Sequence, residues 1–119
     1  MHVQALTFIE RAVGDGVPTG GALRNLASHY YLRGKYEQVE SLCQRALSIY
    51  ERLLDPENVR TASVLHLLAQ LYEAQGRYQE AQSFYQRAIA MKKRVFGPEH
   101  PDTKAVLKDY AAFTEKRRS

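Results

Sequence analysis

Leu26-Ala27-Ser28-His29-Tyr30, followed by Gly34-Lys35-Tyr36 and Gln44-Arg45-Ala46, returns 42 positions later as Leu68-Ala69-Gln70-Leu71-Tyr72, Gly76-Arg77-Tyr78 and Gln86-Arg87-Ala88. The register holds further along the chain. Pro56-Glu57 becomes Pro98-Glu99, Thr61 becomes Thr103, and Val64-Leu65 becomes Val106-Leu107. A fixed period of this size marks stacked supersecondary units, each burying its apolar face against a neighbour. In such an array the repeated positions build the core, and function sits where the repeats differ on an exposed face.

Within each period the apolar residues recur at helical spacing: Leu23, Leu26, Ala27 and Tyr30 in one copy, Leu65, Leu68, Ala69 and Tyr72 in the next. The pattern predicts helices near 3–13, 20–33, 36–54, 59–75, 78–96 and 102–116, and no strand. The glycine-rich segment 14–21 reads as the link after the first of these, whose Ala5-Leu6 resembles the Ala46-Leu47 region of a later helix. Gly34 and Gly76 end helices in tight turns that fold the chain back antiparallel. Pro18, Pro56, Pro98 and Pro101 all read as lying between helices, where a missing N–H costs little. Asp102 or Pro101-Asp102 is the expected start of the last helix, with Thr103 in its first turn.

A chain of 119 residues, 45% hydrophobic and 25% charged, fits one domain of ordinary soluble composition. No apolar run approaches the roughly 20 residues needed to span a bilayer, and residues 1–13 lack a signal-peptide layout. A single cysteine, Cys43, agrees with a reducing compartment, so a cytoplasmic location is expected. The net charge of +4 lies wholly in residues 92–119, which hold eight basic and four acidic groups. That excess reads either as a solvated last helix or as a contact for an acidic partner or nucleic acid.

The order Leu-Ala-x-x-Tyr, Gly-x-Tyr and Ala, in Leu26-Ala27, Tyr30, Gly34-Lys35-Tyr36 and Ala46, resembles the tetratricopeptide repeat. With Gly97-Pro98-Glu99-His100-Pro101-Asp102-Thr103 and the long period, it is similar to the variety found in kinesin light chains and related scaffolds. The resemblance covers residues 20–113 and implies an all-α, right-handed α-α superhelix of helix–turn–helix repeats. It divides the single domain into a partial helix and loop (1–19), two repeats (20–58 and 59–100) and a half-repeat with a basic tail (101–119). The resemblance also implies non-catalytic protein–protein interaction, with a linear peptide or partner helix docked in a groove lined by the first helix of each repeat. Carried over relative to the Leu-Ala pair, the groove positions are Arg24, Asn25, Ser28 and Tyr31, then His66, Leu67, Gln70 and Glu73, then Lys108 and Asp109. Arg24, His66 and Lys108 make a basic row suited to an acidic peptide. Tyr31 and Leu67 are expected to add apolar contact, while Leu67 and Asp109 depart from the groove asparagine that Asn25 matches.

Other chemistries find little support. His29, His66 and His100 belong to different segments, and no second cysteine or His-x-x-x-His accompanies them, so neither a metal nor a cofactor is expected. No nucleophile elbow, phosphate loop or dinucleotide fingerprint occurs. Nucleic-acid binding through the basic C-terminal third is the alternative function, supported by a pI near 9.3 and abundant tyrosine. Finally, Val106, Leu107, Tyr110 and Phe113 are expected to be exposed on the unpaired last helix, which suggests self-association through it.

Overall fold

Two glycines set the architecture. Gly34 and Gly76 hold φ at 75° and 76°, the left-handed region that a side chain resists. In each case the glycine N–H and the next N–H turn back onto the helix just ended. Gly34 N–H donates to the Tyr31 carbonyl and Lys35 N–H to the Tyr30 carbonyl; Gly76 and Arg77 do the same to Glu73 and Tyr72. This paired closure satisfies carbonyls that a helix end leaves open, and it reverses the chain within three residues.

The computed structural model describes residues 17–54 and 58–118, and every element in it is helical. We number the helices α1 (Val17–Leu32), α2 (Tyr36–Leu53), α3 (Val59–Ala74), α4 (Tyr78–Phe96) and α5 (Pro101–Arg118). The predicted helix near 3–13 lies outside the described residues. The chain divides into two units, Met1–Pro56 and Glu57–Ser119. In the first, α1 packs on α2; in the second, α4 packs on both α3 and α5.

The first unit buries Leu23, Ala27 and Tyr30 of α1 with Val39, Leu42, Cys43, Ala46, Ile49 and Tyr50 of α2. Its tightest point is Gly20. A methyl group there would lie 2.6 Å from the Tyr50 ring, whereas one on Gly21 would come no nearer than 3.9 Å to the Tyr50 hydroxyl. The helix begins at Val17, before the predicted 20, so the end of the glycine-rich segment is helical, and Gly20 is there because close approach to Tyr50 needs a residue without bulk. Pro18 and Pro101 likewise fall inside first turns of helices rather than between them. The N–H they lack would be unpaired there in any case.

In the second unit Asn58 caps α3. Its side-chain oxygen accepts from Thr61 N–H at 2.8 Å, and its amide donates to the Thr61 hydroxyl at 2.9 Å. His100 caps α5: its Nδ1 accepts from Asp102 N–H at 3.1 Å while its ring stacks on Phe96 at 4.1 Å. An accepting Nδ1 places the ring proton on Nε2. The Thr103 hydroxyl donates to the Lys92 carbonyl at 3.2 Å, tying α5 to the end of α4.

The expected exposure on α5 is corrected at two of its four apolar positions. Val106 and Phe113 are fully buried rather than exposed, and only Leu107 and Tyr110 remain partly open. Phe113 packs against Tyr85 at 5.3 Å and Tyr78 at 6.0 Å, both on α4. Ala27 and its copy Ala69 are fully buried, whereas Ala111, at the same register, is exposed.

These contacts separate the two neighbouring glycines. Gly20→Ala gains about 1 kcal/mol of helix propensity but drives a methyl into a buried ring, which costs about 1–3 kcal/mol. The net effect is a lower melting temperature. Gly21→Ala gains the propensity without the collision and raises it. Thermal unfolding of the two variants checks the opposite signs.

Candidate functional site

Each expected groove residue has a definite place. In the first unit Arg24, Ser28 and Tyr31 are spaced to share one side of α1, and all three are half-buried. Asn25 beside them is exposed. The Arg24 Nε is buried and has no hydrogen-bond partner among the described residues. A guanidinium N–H withdrawn from water without an acceptor is costly. Tyr31 leans on Tyr36, their rings 5.7 Å apart.

Leu32 was not among the candidates, yet it is 84% exposed on the turn adjoining Tyr31. Its signal was present in the sequence: it falls off the stripe Leu23, Ala27, Tyr30, and its copy in the second repeat is only Ala74.

In the second unit α3 and α5 lie close enough for their side chains to bond. His66 Nε2 sits 2.8 Å from Asp109 Oδ2, and the Gln70 amide donates to the same oxygen at 3.3 Å. Because an ionised carboxylate only accepts, the His66 proton is on Nε2 in this contact. His66 is 16% exposed and Asp109 39%. One helical turn on, Glu73 accepts from the Tyr85 hydroxyl at 2.7 Å and from Lys116 at 3.0 Å. Lys108 is exposed and has no ion pair among the described residues. Leu67, expected to offer apolar contact in the groove, is only 5% exposed and belongs to the packing.

The basic row therefore divides. Arg24 and Lys108 keep donors available, whereas His66 and Gln70 are engaged by Asp109. Sequence spacing put these residues on corresponding helix sides, but it could not show that a carboxylate from α5 reaches α3.

Among the described residues no cluster of His, Cys, Asp and Glu has the makings of a metal site. Cys43 is buried, and burial pushes its thiol up to about 12, with Glu40 adding to the rise and Arg24 opposing it. Such a thiol is a packing group rather than a nucleophile.

Antiparallel helix pairs closed by left-handed glycines define a helical-hairpin repeat protein. A family model described as tetratricopeptide repeat matches residues 19–94 and 75–112. The chain belongs to the tetratricopeptide repeat family. A search of curated proteins gave no match.

Two measurements follow from these environments. Between pH about 9 and about 12 an unfolded Cys43 has lost its proton while the folded one keeps it. Stability is full below that window and falls as pH rises through it. Cys43→Ala flattens the fall in denaturant titrations, and thiol reagents label native Cys43 only as fast as the chain opens. Separately, Glu73→Ala removes a charge-assisted bond from the buried Tyr85 hydroxyl and costs about 1–3 kcal/mol. In a double-mutant cycle with Tyr85→Phe the two losses are not additive.

Proposed function

We propose that the chain is a non-catalytic protein–protein interaction module that docks an acidic linear segment of a partner on the exposed sides of its first-type helices. Membership of a family whose repeats generally mediate protein–protein contact supports the class. The single observation that supports the acidic preference is the Arg24 guanidinium, whose Nε is withdrawn from water with no acceptor among the described residues. A carboxylate or phosphate pairs with the part of this half-buried guanidinium that stays open to solvent. Asn25 and Ser28 lie within one turn of it and add neutral donors. Tyr31 and the exposed Leu32 give an apolar side chain of the ligand somewhere to rest. In the second unit Lys108 offers an exposed cation of the same sign. The resemblance of the long period and of residues 97–103 to the kinesin light chain variety of the repeat supports a scaffold role.

No described helix is long and apolar enough to cross a membrane. The cytoplasmic setting is part of this proposal and is supported only by the lone cysteine, Cys43. The basic C-terminal third keeps nucleic acid as the competing partner, although several of its charges are neutralised locally: Lys104 by Glu99, Lys116 by Glu73 and Arg118 by Glu115.

A peptide array probed with the purified chain tests the reading. Acidic peptides are expected to bind, and Arg24→Glu with Lys108→Glu to weaken them at least about tenfold, the scale of one charge-assisted contact. Unchanged affinity contradicts the proposal. A steep salt dependence on a random oligonucleotide, with no peptide binding, would favour the nucleic-acid reading instead.

A further inference from the structure

We infer that Asp109 is a built-in competitor for the ligand: its carboxylate occupies the donors of α3 that an acidic partner side chain would otherwise take. This rests on the acidic-segment reading above and deepens it. Two donors from successive turns of one helix, His66 Nε2 and Gln70 Nε2, converge on the single oxygen Oδ2 of Asp109. Convergence of neutral donors on one oxygen is how a surface holds a carboxylate of any origin.

Three features mark this as more than a structural tie. The repeat does not call for an acid at this position, since the earlier copies of Asp109 are Asn25 and Leu67. Asp109 is 39% exposed, so water and an arriving carboxylate both reach it, and screening keeps the pair weak enough to exchange. The neighbouring link, Glu73 with Lys116 and the Tyr85 hydroxyl, holds α5 to α3 and α4 independently of Asp109. The helix therefore has a second hold while Asp109 swings away.

In this arrangement Asp109 sets a threshold. A partner with one weak acidic group fails to displace it. A partner with several, or with a phosphate, succeeds and gains His66 and Gln70 as ligands.

The test uses the whole chain and a fluorescein-labelled glutamate-rich dodecapeptide with an amidated C-terminus, its glutamine counterpart serving as the blank. Asp109→Asn removes the competing charge while keeping the shape. It is expected to bind the glutamate peptide about tenfold more tightly than the unaltered chain. Asp102→Asn on the same helix removes an equal, exposed charge that bonds neither donor, and changes affinity by less than about twofold. Equal tightening in both variants reduces the effect to general electrostatics and overturns the inference. So does unaltered affinity of Asp109→Asn when the unaltered chain binds in an Arg24- and Lys108-dependent way.

If no form of the chain binds the glutamate peptide, the functional reading itself falls and this inference with it. Should Asp109→Asn lower the melting temperature enough to obscure binding, Asp109→Ser and the unaltered chain supply the answer. Titrating the peptide into the unaltered chain shifts the His66 imidazole resonances if Asp109 is displaced. Binding that leaves them in place is contrary to the inference.

Discussion

Everything in this chain depends on how closely two antiparallel helices can cross. A hairpin of 16 and 18 residues has little interior of its own, so its stability comes from apolar contact along one seam. Contact is dense only where one helix offers almost no side chain. Gly20 against Tyr50 is the extreme case, and the buried Ala27, Ala69, Ala46 and Ala88 are the milder ones. With the seam closed, the large residues Tyr30, Leu42 and Tyr50 in one unit and Tyr72, Tyr85 and Phe113 in the other fill the space beside it. The remaining sides of α1, α3 and α5 are then left to carry polar groups whose identity packing does not dictate.

The period made the helices readable, and the left-handed glycines made the short turns readable. Their predicted limits differ from α2, α3 and α4 by a residue or less. The sequence misled where a residue type has two uses. Gly20 and Gly21 resemble linker glycines, yet one is there for the Tyr50 ring. Pro18 and Pro101 resemble breakers, yet each occupies a first turn. Phe113 looked uncovered because no second helix pairs with α5 in the manner of α2 with α1. In fact α5 turns this residue toward α4, where Tyr78 and Tyr85 receive it.

The candidate groove was legible as a set of positions but not as a set of bonds. Helical spacing is enough to align Arg24 with Ser28 and Tyr31. No spacing rule says that Asp109 reaches back 43 residues to His66, or that Lys116 does so to Glu73, because those links depend on the angle between α3 and α5. Leu67 failed as a groove residue for the same reason: a helix that is buried on most of its circumference, as α3 is, leaves few positions free. The result is an unequal pair of faces, one with an unsatisfied arginine and the other with donors already held by an internal carboxylate.

Amide and side-chain chemical shifts of the isotope-labelled chain, recorded while an acidic peptide chosen from an array is added, test most directly where a partner lies. Perturbations are predicted at Arg24, Asn25, Ser28, Tyr31, His66, Gln70 and Lys108. Perturbations gathered instead on the outer sides of α2 and α4, around Arg45 and Arg87, would contradict the assignment of function to the first-type helices.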